Sequence, residues 1–280
     1  MTHDAARGFA AGAPARDHWL WGAGGSPGPN ESLRRSLTQM RARVRQLVRD
    51  DAYARRILDV RVANTVGAGI VPRAQTGRER MDQQLMAAWR EWGEAPAADR
   101  HGALDVYGLQ ALAFRSMLEG GDVLMVRRWL DEPTMRRLGL SIPLQLELIE
   151  AEQLGYWRED VATDAGGRIV QGVETDAQGH RVAYHLAQRH PADELMPTTT
   201  TVRVPAEDVI HLYRPTRPGQ ARGVPELHAV AARLRTLGDY EEALLFRAKI
   251  EACLAAFVHT DTDAAGSPLG AQQTANDGAL

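Results

Sequence analysis

One cysteine, Cys253, and one lysine, Lys249, stand in a chain of 280 residues. A lone cysteine excludes an internal disulfide framework and any zinc site built from several thiolates. With a single lysine among 33 basic residues, the other 32 are arginine. That bias reflects either codon preference or a use for the planar guanidinium fork in ion pairs and interfaces. No run of eighteen apolar residues occurs, so no membrane-spanning helix is indicated. The N-terminal stretch lacks the apolar core of a signal peptide and reads as a flexible arm over residues 1–29. Its Trp19 and Trp21 either dock on a neighbour or strap its own domain. The sequence also lacks a phosphate-binding G-x-x-x-x-G-K-[ST] loop, a G-x-S-x-G elbow and an H-E-x-x-H helix. A catalytic function therefore has little to stand on, and no cofactor is called for.

What is present is a chain that changes period as it proceeds. Leu33, Leu37, Met40, Val44 and Leu47 recur at helical spacing, with Asn30 or Ser32 as the expected N-cap. A joint at Asp50-Asp51 leads to a second helix with Tyr53, Ile57, Val60 and Asn64 on one face, ending at Gly67 or Gly69. From Arg34 to Arg61 nine arginines face three aspartates, so Arg41, Arg43 and Arg45 are candidates for a basic contact face. The alternative is the solvated side of an amphipathic helix. Residues 66–72 read as a glycine turn into a short strand. A helix from Met81 to Trp92 follows, then one capped by Asp105 with Leu109, Leu112, Ala113 and Met117 inward.

Gly120-Gly121-Asp122 turns the chain into the strand Val123–Val126. Leu144–Leu148 alternates as a half-buried strand. Residues 172–174 and 182–186 form a hairpin around Asp176–Gly179. Val209–Tyr213 is a further strand, ended by Arg214-Pro215. The loop that follows is rich in proline, glycine and arginine and runs to Pro225, placed as a first helical residue. Leu227, Val230, Leu234 and Leu237 then repeat at helical spacing, Gly238-Asp239 interrupts, and a last helix runs from Tyr240 to about Val258. His185, His190 and His211 are imaginable as metal ligands, but none has helical ligand spacing, and packed strand histidines are the plainer reading. Glu150 and Glu152 read as exposed or salt-bridged.

Several of these stretches, in this order, resemble the lambda-type portal proteins of tailed bacteriophages. They are Arg41–Arg49 running into Asp51–Ala54, Val60–Ile70, Gly108–Leu124, Leu144–Glu150 and the hairpin near Arg181–His185. The strongest are Val204–Arg214 and Arg217–Pro225, followed by Asp239–Ala243 and Arg247–Cys253. The resemblance covers about residues 31–258. It implies an α+β fold, mixing helices with antiparallel strands in a wing-like domain from which long helices lead toward a stem. The implied organisation is an arm at 1–29, a wing-like region at 30–224, a stem-proximal helical region at 225–259 and a disordered tail at 260–280. The function implied is a non-enzymatic head–tail connector: a dodecameric ring at one capsid vertex, passing double-stranded DNA during packaging and ejection and nucleating capsid assembly. Terminase, the major capsid protein and head-completion proteins are the implied partners, and no membrane is. The location implied is the virion vertex, with the host cytoplasm during assembly. Family members are usually far longer, so the chain reads as a truncated or prophage-derived copy. In such a ring Arg214, Arg217 and Arg222 are candidate subunit–subunit ion-pair residues. The competing expectation is an autonomous nucleic-acid-binding protein using its basic helices.

Overall fold

A computed structural model describes residues 27–155, 161–163, 166–193 and 200–253. The expected arm up to residue 26 and everything from residue 254 onward, including Val258 and the expected tail, lie outside the described residues. The chain divides into two units, Met1–Thr236 and Leu237–Leu280.

The first unit opens with two helices divided by one residue. In α1, Pro29–Asp50, Leu33, Leu37, Met40, Val44 and Val48 are buried along one stripe. Asp51 then turns extended, which ends α1, and its Oδ1 accepts from the Ala54 amide at 2.7 Å, which starts α2, Ala52–Thr65. The expected joint is therefore a cap. At the start of α1 Gly28 is the N-cap and no side chain caps the helix. Asn30 is not the cap because its side chain is held by a distant loop, described below. Tyr53, Ile57 and Val60 do share a face of α2, but it is the outward one; Ala54 and Leu58 are buried instead.

The expected strand at 66–72 is replaced by irregular chain. Ile70 donates to and accepts from the Gln110 side-chain amide at 2.7 and 3.1 Å, so one glutamine does the work of a strand partner. Gly69 makes this path possible: with φ +116°, any Cβ there would sit 2.5 Å from the Tyr107 ring. In α3, Glu79–Gly93, Trp92 is buried and donates to the Leu144 carbonyl at 2.8 Å, while Leu85 is exposed. Asp105 caps α4, Val106–Gly120, as expected; Leu109 and Ala113 face inward and Leu112 does not.

Two antiparallel sheets follow. In the first, β1 (Asp122–Trp129) lies between β2 (Leu144–Glu150) and β8 (Val209–Tyr213), with the short α5, Glu132–Arg137, connecting β1 to β2. The second is a meander of β3 (Val161–Ala162), β4 (Arg168–Val170), β5 (Val173–Thr175), β6 (Arg181–Ala187) and β7 (Thr201–Pro205). Strand β7 had no counterpart in the sequence reading. A single 3-10 turn, Ala206–Asp208, carries the chain from β7 to β8 and hence from one sheet to the other.

Strand β1 is covered on both faces, as its unbroken apolar run requires. Val123 and Met125 pack with Trp92, Leu109, Ala113 and Leu146. Leu124 and Val126, pointing the other way, pack with Leu154, Val173, Tyr184, Leu186 and Val204 between the sheets. A third cluster joins Val44, Val48, Ala54, Leu58, Leu118 and Leu227. Each fully buried aliphatic side chain here contributes roughly 1.5–3 kcal/mol. Pro225 is extended, not helical; a 3-10 turn, Glu226–Ala229, precedes α6, Ala231–Cys253. Gly238-Asp239 does not interrupt α6. A glycine inside a helix costs only about 1 kcal/mol relative to alanine, too little to stop one.

Candidate functional site

The arginine-rich loop between β8 and Pro225 meets the turn between α4 and β1 where two glycines cross. Gly121 has φ +88°, and a Cβ there would lie 2.7 Å from the Gly223 backbone; a Cβ on Gly223 would lie 1.8 Å from the Gly121 oxygen. Only two residues without side chains permit that approach. It brings Arg222 onto Asp122, and both are 0% exposed.

Asp122 is the centre of the junction. Its carboxylate accepts from Arg222 Nε at 2.5 Å and Nη2 at 3.2 Å, from Arg41 Nη2 at 2.7 Å and from the Gly223 amide at 3.3 Å. His211 Nε2 lies 3.3 Å away. Other guanidinium donors reach backbone carbonyls. Arg41 Nε donates to the Gly120 carbonyl at 2.6 Å, and Arg222 donates to those of Ala151 at 2.6 Å and Gln171 at 3.3 Å. Helix α1, the α4–β1 turn, the ends of β2 and β4, strand β8 and the loop are therefore tied through one carboxylate.

The electrostatics follow from burial. Burial alone would raise the Asp122 carboxyl, but the Arg222 and Arg41 charges and the His211 hydrogen bond hold it far below the usual carboxylate range. Burial pushes Arg41 down to about 10, with Asp122 opposing. His211 is also lowered, first by burial and then by Arg222 and Arg181, against the pull of Asp122. Its Nδ1 faces Arg181 Nη1 at 3.2 Å, and arginine can only donate. The proton of the neutral ring is thereby assigned to Nε2, directed at Asp122. The ring stacks on Tyr213 at 4.6 Å and meets Tyr184 edge-on at 5.5 Å.

The loop itself is wired internally. Gln220 Oε1 accepts from the Thr216 amide and hydroxyl and the Arg217 amide at 2.9–3.1 Å, and Nε2 donates to the Arg222 carbonyl at 2.6 Å. Asn30 bridges it to α1, donating to the Gly219 carbonyl at 3.0 Å and accepting from the Ala221 amide at 2.8 Å.

The sequence-derived site residues separate accordingly. Arg222, expected at a subunit interface, has no exposed surface and acts inside its own chain. Arg214 and Arg217 are exposed; Arg214 lies 3.6 Å from Glu226, and Arg217 donates to the Pro27 carbonyl at 3.0 Å. Arg41, Arg43 and Arg45 do not form one face, because residues two apart on a helix point apart. Arg41 is buried, Arg43 half-buried, and Arg45 bridges Glu150 and Glu152 at 2.9 Å each. The three histidines do not converge either. His185 lies 2.9 Å from Glu174, His211 faces Asp122, and His190 lies 3.3 Å from Glu150. Glu150, Glu152 and His190 are close enough to share an ion, but the Arg45 guanidinium already sits on both carboxylates. Asp122 and Arg41 escaped the sequence reading as partners. The available signal was an acid placed directly before an apolar strand, where an unpaired charge would not survive burial.

A family model described as "Phage portal protein, lambda family" matches residues 19–279. The chain belongs to the lambda family of phage portal proteins. The earlier resemblance is thus upheld over nearly the whole chain, including both units. Among curated relatives, the "Probable portal protein" of Halomonas phage phiHAP-1 is 26% identical over 235 residues, covering 80% of this chain and 43% of that protein. The chain spans less than half the length of that relative. Membership of this structural family agrees with an α+β fold whose charged groups are engaged in tying elements together. Among the described residues, no helix is long and apolar enough to cross a membrane.

Proposed function

We propose that this portal-family chain serves as a structural, non-catalytic part of the capsid vertex. In this reading, copies assemble into a ring, twelve in the family pattern, around a channel that passes double-stranded DNA. Terminase drives DNA inward through it, the major capsid protein surrounds it, and head-completion proteins close it. Assembly takes place in the host cytoplasm before the ring is fixed in the virion. The family match across residues 19–279 is the observation that carries this reading. Two features support it. The buried charge cluster at Asp122 ties α1, the α4–β1 turn, β8 and the loop before Pro225 together, which suits a part that must hold its shape while DNA moves past. The net charge of −3 suits a conduit that must not grip phosphate, since each arginine–phosphate contact adds salt-sensitive affinity.

Negative-stain microscopy with light scattering on the purified chain tests the assembly. Rings are expected; a strict monomer at high concentration would remove it. Arg214 and Arg217 remain the proposed interface arginines, now without Arg222. Arg217→Glu is expected to reduce ring yield, and unchanged rings would return that loop to a purely internal role. The structure gives an autonomous DNA-binding helix nothing specific, since Arg41 points inward and Arg45 is paired.

A further inference from the structure

Helix α6 carries two apolar rows of side chains with the same spacing, headed by opposite charges. One row is Arg233, Leu237, Tyr240 and Leu244; the other is Asp239, Ala243, Phe246 and Ile250. Both advance by four, three and four residues, and the second is the first displaced by six positions. At 3.6 residues per turn the rows lie about 120° apart around the helix. All eight residues fall within α6, and the large apolar members are exposed, Tyr240 at 59% and Phe246 at 64%. A helix with apolar rows on two sides needs neighbours on two sides.

We propose that α6 packs between two further copies of this chain, the first row of one copy lying parallel against the second row of the next. This rests on the assembly reading above and names the surface that carries it. A displacement of six residues, about 9 Å along the helix, brings every pair into register. Arg233 then meets Asp239, so the charges at the head of each row are complementary. Leu237 meets the small Ala243, Tyr240 meets Phe246, and Leu244 meets Ile250, so a large side chain faces a small one and the aromatics pair. Two different surfaces in contact make a head-to-tail association, and rows less than 180° apart give a series of copies curvature toward closure. A stagger of this size is what helices inclined to a ring axis produce. Leu245, also exposed, lies on neither row.

The test is a charge swap and a mixing experiment on the full chain, read by light scattering. Arg233→Asp or Asp239→Arg alone is expected to weaken association at least tenfold, and the doubly swapped chain to recover it to within about threefold. Tyr240→Glu and Phe246→Glu are each expected to stop assembly, whereas an equimolar mixture forms heterodimers and nothing larger, because one intact pair of rows survives. Circular dichroism should be unchanged, since both positions are exposed. Dimers of Tyr240→Glu alone would mean a symmetric contact and overturn the proposal. So would wild-type rings that persist in all four single variants, which would leave the assembly reading intact. Absence of any wild-type assembly would overturn both.

Discussion

The Asp122 junction and the Leu237–Cys253 end of α6 are opposite solutions to the same problem of placing charge and apolar surface. At the junction two arginines, an aspartate and a histidine are sealed inside, and both guanidiniums donate to the Asp122 carboxylate and to backbone carbonyls. Along α6 six large apolar side chains from Leu237 to Ile250 stand exposed while the charges lie among them. The first region is complete within one chain. The second leaves its apolar side chains uncovered, and it is the surface proposed above to meet another copy. In the proposed assembly the second region, and not the first, is the one that meets another chain.

The largest effect should come from breaking the complete region. Asp122→Ala leaves two buried guanidiniums without a counter-charge and should cost about 3–5 kcal/mol in urea unfolding of the first unit. A loss below 1 kcal/mol would mean that water reaches the junction. Gly223→Ala attacks the same place through the backbone. Its Cβ would fall 1.8 Å from the Gly121 oxygen, so the crossing must open, at about 1–3 kcal/mol.

Acid sharpens the comparison more gently. His211 is buried neutral, with a folded pKa below its ordinary 6.5, so unfolded chains bind its proton more readily. The stability it contributes is full above about pH 6.5 and is lost as pH falls through that value toward the depressed one. Asp122 adds a second loss only further down, as pH falls below its ordinary 3.8. The dependence of urea midpoint on pH between 5 and 7 should shrink in His211→Gln. An unaltered slope would assign it to other groups. The smallest effect belongs to the incomplete region: Phe246→Glu should change the unfolding free energy of the isolated chain by no more than about 0.5 kcal/mol while changing its association. Large destabilisation would show that Phe246 is already covered within one chain.

Local patterns exposed much of the fold. Asp105 announced a helix start because a short acid before a periodic run has one good use, while Asp51 was legible only as a joint. Gly120-Gly121 announced the turn into β1, and Asp176–Gly179 the hairpin. Gln110, which closes on Ile70, was invisible because side-chain substitutes for strand pairing follow no period. Leu112, expected to face inward, is exposed for a related reason, and the stripe on α2 gave no sign that it faces outward. An apolar row says that a face exists, not which neighbour covers it. Asn30 looked like a cap and became a bridge to a loop 189 residues away.

The sequence by itself determined the family, the helix and strand periods, and the stiffness of the loop before Pro225, since these depend on residue type and near neighbours. Only the tertiary structure decided what the arginines do. Arg222 and Arg214 are indistinguishable in sequence, both basic and both beside turn formers. One is sealed against Asp122 because Gly121 and Gly223 let two backbones touch, and the other is left at the surface. Burial and charge pairing depend on residues a hundred positions apart, and that is information no local pattern carries.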